Sequence, residues 1–431
     1  MNFIYLTLGK VLKPLFNLII FSVLSFKIGQ DQLGEYVYLI TIFLIFAPLI
    51  SFGTENYVIT KFHRDKDFNI NDVILLTSIL SILSIIILTF IFNIKLIYLI
   101  GFILFAAVYT FIPYDYLERS KGYIINFSKV SIVVFCISFI IKVILIFYSS
   151  NIVIALILIF FLDFSTPFVL FLKKYRSFSI RKNISKNFKK IISVANFSTP
   201  FFLSTFSIVL INKIDHLMIP KLLDYNSLAM YSSAYRVYEG FFVFQIIFIS
   251  VFFPYLSKFS IKKSMKIIGL YGVVFSAGIS LIISLFFFFG ESIFLTIYDI
   301  QYSKAYKLLC FLLFGFWASY FGSVITKIAS LKKGGGLDLI KTNLIALIIN
   351  IILNIILIPI FGLEGAVIAT VFSQFVGSIF IWFFIRKFRL ELISIFKSYF
   401  HYLLLIIVSP KVYISSLFKE SQKMININDE K

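Results

Sequence analysis

The stretch SIIILTFIF (84–92) carries no charge and presents an apolar surface on every side, and IILNIILIPI (351–360) reads the same way. A helix rises about 1.5 Å per residue, so about 20 apolar residues cross a hydrocarbon core of about 30 Å. Inside lipid each backbone N–H and C=O has to be satisfied within the segment or in a closed barrel. Barrel strands alternate polar and apolar residues over about 10 positions. These runs do not alternate, so they are helices. Working outward from them, the spacing predicts twelve spans, near 4–25, 36–56, 72–93, 96–116, 127–148, 152–172, 194–219, 229–255, 266–290, 303–329, 338–360 and 363–386. The fold class is therefore an all-α polytopic membrane protein. SYFHYLLLIIVS (398–409) has only 12 residues and ends at Pro410, which reads as an interfacial or half-buried helix.

Composition agrees. Of the 431 residues 60% are hydrophobic and 14% charged, with a mean hydropathy of +1.00, which excludes a soluble globular domain. A net charge of +20 would point to nucleic acid in a soluble chain. Here Lys and Arg gather in short joints, where they set orientation and meet anionic headgroups, so no nucleic-acid partner is implied. Cys136 and Cys310 fall inside apolar stretches and imply neither a disulfide framework nor a metal site. His63, His216 and His401 lie far apart with no ligand spacing, and none falls in the middle of a predicted span. No metal, cofactor or catalytic residue is expected. Lys10 and Lys13 interrupt the apolar core that a cleavable leader would need, so the N-terminal segment reads as the first span.

The joints alternate in charge. Those after even spans hold 19 basic residues, from Lys61 to Lys333; those after odd spans hold five: Lys27, Lys95, Lys221, Lys304 and Lys307. The positive-inside rule places both termini in the cytoplasm. The longest joint, 173–193, is strongly basic and divides the chain into six spans plus six. This gives an N-terminal lobe over 1–180, a C-terminal lobe over 181–390, and a cytoplasmic or interfacial tail over 391–431. GQDQLGEYVYLITIF (29–43) and LDYNSLAMYSSAYRV (223–237) echo one another, as internal repeats in transporter folds do.

Three stretches carry a family likeness: KIGQDQLGEYVYLITIFLIFAPLISFGTENYVITKF (27–62), LINKIDHLMIPKLLDYNSLAMYSSAYRVYE (210–239) and IASLKKGGGLDLIKTNLIALIINIILNIILIPIFGLEGAVIATVFSQF (328–375). The last holds Asn350, Asn354, Pro359, Gly362, Gly365, Ala366, Ala369 and Thr370 in the family's order. Over residues 1–390 the chain resembles the Wzx-type polysaccharide (O-antigen and capsule) flippases of the multidrug/oligosaccharidyl-lipid/polysaccharide exporter superfamily. The resemblance implies two six-helix lobes in a V, like the MATE transporters of that superfamily. It also implies alternating access that carries undecaprenyl-pyrophosphate-linked oligosaccharide to the outer leaflet. Two departures stand out. Ala229 occupies the place of Gly34 in the second repeat, and the extra helix pair of fourteen-span relatives is missing after residue 390.

Charges within membrane helices usually face a cavity or a partner. Lys10 and Lys13 share one helical face in the first span. Lys142, Lys213 and Arg236 complete a set of basic candidates for a cationic cavity that would hold an anionic pyrophosphate, with snorkelling to headgroups as the alternative for Lys10 and Lys13. Asp163, Asp215 and Glu239 are candidates for a coupling ion or for static ion pairs: Asp163 with Lys142, and Asp215 and Glu239 within a network at the seventh and eighth spans. GGG (334–336) lacks the Lys-Ser/Thr of a phosphate loop and follows no strand. The leading reading is thus a flippase in a bacterial cytoplasmic (inner) membrane, serving surface polysaccharide such as lipopolysaccharide or capsule. Its partners would be its lipid-linked cargo, membrane lipids, and the glycan polymerase and chain-length machinery. A drug/cation antiporter of the same superfamily would want an acidic cavity. A membrane-embedded glycan polymerase would want a long external loop with arginines, and an acyltransferase an intramembrane His.

Overall fold

The computed structural model describes residues 2–65, 68–92, 95–175, 184–256, 261–331 and 335–429. Among these every regular element is helical. Two compact units result, one of Met1–Arg236 with Asn354–Leu363, the other of Val237–Leu353 with Glu364–Lys431. Ten described helices are long and apolar enough to cross a membrane, and eleven if the bent pair Ile152–Phe164 and Thr166–Lys174 is one span. The expected spans near 4–25 and 229–255 fall on helices α1 and α11, where part of the side chains lie outside the described set.

The first unit holds α1 (Asn2–Lys27), α2 (Gln30–Ser51), α3 (Thr54–Arg64), α4 (Ile70–Phe92), α5 (Leu96–Tyr109), α6 (Pro113–Ser120), α7 (Ile124–Tyr148), α8 (Ile152–Leu158), α9 (Thr166–Leu170), α10 (Ile184–Leu222) and the start of α11 (Tyr225–Leu256). Its middle is a phenylalanine stack. Phe43 of α2 lies 5.1 Å from Phe102 and 5.8 Å from Phe160, and Phe105 lies 5.2 Å from Phe164. The same residue type also faces lipid, as at Phe90, which is 85% exposed. A second core joins α3, α4, α6 and α10 through Val58, Ile74, Tyr114, Leu117 and Val194.

The predicted span 36–56 is broken. Phe52 (φ 47) and Gly53 (φ 66) are both left-handed, and α3 starts afresh at Thr54, whose hydroxyl donates to the Ser51 carbonyl at 2.7 Å. Pro48 lies within the last turns of α2, but the turn itself needs a glycine, because a Cβ on Gly53 would run into the backbone nitrogen of Phe202 on α10. Gly34 is as constrained: a Cβ there would strike the Tyr225 carbonyl at the start of α11.

Beyond α3 the polar ends are knotted by charge. Arg119 forks onto Asp115 (Nε–Oδ1 2.8 Å, Nη2–Oδ2 2.6 Å) and reaches Glu55 at 3.0 Å, and Lys174 donates to the fully buried Glu118 at 2.6 Å. Two basic residues that read from sequence as orientation signals thus also join α3, α6 and the turn at 171–175. The joint 173–193 is shorter than predicted. Lys186, Lys189 and Lys190 are on α10, which runs on past the apolar boundary because hydrogen bonding need not stop where hydropathy does. Arg176, Arg181 and Lys182 lie outside the described residues.

The second unit holds the rest of α11, then α12 (Ile261–Ile297), α13 (Ser303–Leu331), most of α14 (Gly335–Phe361), α15 (Leu363–Phe375), α16 (Ile381–Phe384), α17 (Arg386–Val408) and α18 (Pro410–Asp429). α12 and α13 run antiparallel: the Tyr320 hydroxyl donates to the Ile268 carbonyl at 3.2 Å, and Tyr306 donates to that of Phe287 at 3.0 Å. Gln245 bonds both the Ser319 carbonyl (2.9 Å) and its hydroxyl (2.7 Å). The short helix expected at 398–409 is the second half of α17, a 23-residue helix that begins at Arg386. Charged residues in its first turns and at Lys397 interrupt its apolar run, so only the second half stands out in the sequence. Phe388, Leu392, Ile395, Tyr399 and Tyr402 pack in the unit's core, so the tail from 391 is built into the fold.

Gly53→Ala is expected to lower the melting temperature of the purified protein by far more than Gly122→Ala. Both residues have positive φ, but around Gly122 a Cβ meets nothing within 4 Å, so only the backbone penalty of about 1–2 kcal/mol applies there. Equal losses in thermal denaturation would show that the helix contact at Gly53 is not limiting.

Candidate functional site

Pro167 is the origin of the first charged cluster. In a continuous helix the N–H of residue 167 would bond the carbonyl of residue 163. Proline has no N–H. The segment breaks there into a 3-10 turn, Phe160–Phe164, and α9, with a bend of 52°. The Asp163 carbonyl is left to the Lys13 ammonium, which donates to it at 3.0 Å. The Asp163 carboxylate accepts from Lys142 Nζ at 2.5 Å and from Ser138 Oγ at 2.6 Å. Ser138 and Lys142 are one turn apart on α7, so one face of that helix supplies both donors. All three side chains are buried.

The predicted pairing of Lys142 with Asp163 is therefore present in the geometry, and Lys13 of α1 joins it. Lys13 also lies 3.7 Å from the centroid of the Phe164 ring. A small cleft is lined by Lys13, Asn17, Phe135, Phe139, Lys142 and Asp163 among others. Two cations and one anion leave a surplus positive charge at its wall. Lys10 lies on α1, but its side chain is outside the described set.

The second cluster joins α10 and α11 to Asn354 of α14. The Asp215 carboxylate accepts from the Tyr231 hydroxyl at 2.8 Å and from Asn354 Nδ2 at 2.5 Å. Lys213 Nζ stands 5.2 Å from the centre of the Tyr235 ring. The Arg236 guanidinium stands 4.8 Å from that of Phe21 on α1, and its Nε is buried without a hydrogen-bond partner. Phe21 is eight residues beyond Lys13, about 12 Å further along α1. Tyr36 of α2 is almost fully buried. Glu239 follows one turn after Arg236, just inside the second unit.

Several participants were not read from the sequence. Ser138 carried a signal in its i, i+4 spacing to Lys142. Asn354 was visible only as a motif residue. His216 was set aside as too near a helix end, yet α10 continues to Leu222, and the His216 ring is buried edge-on against Tyr231 and Tyr235. Among the described residues no group of three or more His, Cys, Asp or Glu could hold a metal ion.

No curated protein matches the chain. Among solved structures it is similar to the lipid II flippase MurJ in an inward closed conformation, with a TM-score of 0.64 and 15% identity over 97% of this chain and 99% of that one. It is also similar to a multidrug resistance MATE transporter of the MOP superfamily. The inward-facing form gives 0.59 at 14% identity, over 92% of this chain and 99% of that one. The outward-facing form gives 0.53 at 15%, over 91% and 94%. At such identities the likeness concerns the fold, and it is the polytopic fold of that superfamily. The family resemblance drawn from the sequence is borne out by a match over residues 1–260, and the chain belongs to the polysaccharide biosynthesis protein family.

Proposed function

We propose that the chain is a transporter, not an enzyme, that moves undecaprenyl-pyrophosphate-linked oligosaccharide repeat units of the O-antigen or capsule type. It carries them from the cytoplasmic to the outer leaflet of a bacterial inner membrane. Two lobes, 1–180 and 181–390, would alternate access to the cargo, and both termini would lie in the cytoplasm. The delivered units would feed a glycan polymerase and its chain-length partner. The observation that carries this reading is the surplus positive charge beside α1, where Lys13 lines a cleft and Arg236 keeps an unpartnered buried Nε–H. A pyrophosphate offers oxygens to both kinds of donor, and Arg adds a planar fork that Lys lacks. A cationic drug would meet a net positive charge there. The name of the similar MurJ structure, a lipid II flippase, supports a lipid-linked cargo.

Within this reading Lys13 and Arg236 meet the cargo, with Lys213 as a further cation; the side chain of Lys10, expected with them from the sequence, lies outside the described set. Lys142 holds Asp163, and Asp163 holds the broken helix. Asp215 is a static acceptor for Tyr231 and Asn354, and Glu239 is left as the candidate for a coupling ion.

Arg236→Ala should abolish surface glycan with protein level unchanged, and Arg236→Lys should retain part of it; Lys13→Ala should also abolish it, with some loss of stability because the Asp163 carbonyl loses its donor. Full export by both alanine variants, read by glycan staining of cells, would overturn the cargo assignment. Asp163→Asn should destabilise the protein by about 3–5 kcal/mol, because it strands a buried Lys142. The double variant Asp163→Asn/Lys142→Met should recover stability and export. A stable double variant that exports nothing would instead make Asp163 a coupling site. Reporter fusions after residues 180 and 265 should read cytoplasm and those near 225 and 297 the outside; one inverted reporter refutes the topology.

A further inference from the structure

The Lys13 ammonium has two jobs that compete. It donates to the Asp163 carbonyl at 3.0 Å and rests 3.7 Å from the centroid of Phe164. The Asp163 carboxylate is held by Lys142 and Ser138, so among the described residues the Lys13 charge has a carbonyl and rings for neighbours rather than an ion pair. The first job is structural: the ammonium replaces the amide hydrogen that Pro167 cannot give. The second is at the cleft, which Lys13 and Asn17, one turn apart on α1, line together with Lys142. A phosphate oxygen carries a full charge where a carbonyl carries a partial one, so it is the stronger acceptor for an ammonium.

The half of the helix after the break does not stand alone. Lys174 donates to Glu118 of α6 at 2.6 Å, and the Phe171 ring lies 5.4 Å from that of Tyr114, also on α6. Arg119 of α6 reaches Glu55 of α3 at 3.0 Å, and the His63 ring of α3 meets the Ser120 carbonyl at 2.8 Å. α3 and α6 are themselves the second halves of interrupted spans. α3 starts after the left-handed pair Phe52 and Gly53. α6 starts at Pro113, after a tightened turn in which the Ile112 N–H bonds the Tyr109 carbonyl three residues back. α9, α6 and α3 are thus tied side by side, and each meets its first half where regular helical bonding is interrupted. Ties across and breaks above let the three tilt together.

We propose that Lys13 is a switch between the anion site and this tilt. An anion that takes the ammonium releases the Asp163 carbonyl, and α9, α6 and α3 then move together about the breaks at 165–167, 110–112 and 52–53. That the anion is the pyrophosphate of the cargo rests on the function proposed above. The test uses the purified full chain with Cys136→Ala, Cys310→Ala and Thr166→Cys. Thr166 is buried and its hydroxyl has no hydrogen-bond partner, so the exchange sacrifices no bond of the side chain. The readout is the rate of reaction with a water-soluble maleimide. Adding Lys13→Ala should raise that rate about fivefold, the worth of one hydrogen bond. Adding Pro167→Ala as well, which returns an amide hydrogen to residue 167, should cancel the rise. If it does not, Lys13 does not stand in for the amide and the switch is refuted. Farnesyl pyrophosphate is the anion probe, with its binding followed separately by the shift in melting temperature. It should speed the reaction when Pro167 is present and leave it slow with Pro167→Ala. A probe that binds without changing the rate overturns the switch and leaves the cargo reading standing; a probe that does not bind overturns both. Val58→Cys, on a fully buried position of α3, should show the same acceleration in place of Thr166→Cys. A response confined to residue 166 would overturn the joint movement.

Discussion

A backbone carbonyl without its amide is expensive in lipid, and the arrangement of the first unit follows from one such carbonyl. Pro167 withholds a hydrogen from Asp163, the helix bends, and an ammonium from α1 fills the gap. That contact brings Lys13 to the same residue whose carboxylate binds Lys142, so a single proline assembles three charges from three helices. The same logic recurs where other helices falter. Thr77 donates to the Thr110 carbonyl at 2.9 Å where α5 loses its regular turn, and the Trp382 indole donates to the Gly377 carbonyl at 3.1 Å.

Charge placement follows a second rule. Basic groups near the helix ends are partnered by acids that the chain supplies locally, as at Arg119 with Asp115 and Glu55. Deeper in the bundle aromatic rings lie against the basic groups: Phe164 at Lys13, Phe21 at Arg236 and Tyr235 at Lys213. A cation over a ring is stabilised without being neutralised.

Hydropathy revealed the spans because lipid imposes one strong condition on about 20 residues at once. The search for unbroken apolar runs passed over α17, whose first turn holds Arg386, Lys387 and Arg389 and whose middle holds Lys397. It could not reveal the extension of α10 into the basic joint for the same reason. The Lys142 and Asp163 pairing was legible because two opposite charges on consecutive spans have few other places to go. The contribution of Lys13 was not, since it depends on a carbonyl freed by Pro167, and side-chain patterns carry no record of carbonyls. Gly53 is a similar case: its left-handed backbone could be suspected from FGTE (52–55), but the approach of Phe202 that also demands it comes from a residue far along the chain.

Two short π-helical turns occur, Phe171–Tyr175 at the end of the sixth predicted span and Val376–Phe380 in the second half of the twelfth. A turn of this kind holds one more residue than an α turn. It therefore shifts the phase of all that follows by about 100°. Side chains before and after it that would share a face in a plain helix look in different directions. Loss of one residue in the Val376–Phe380 turn would barely change the hydropathy of the span, yet would rotate Ile381–Phe384 by more than a quarter turn. In such a chain length is information, and an alignment that slides a gap freely through these two turns would misplace every neighbour downstream of them.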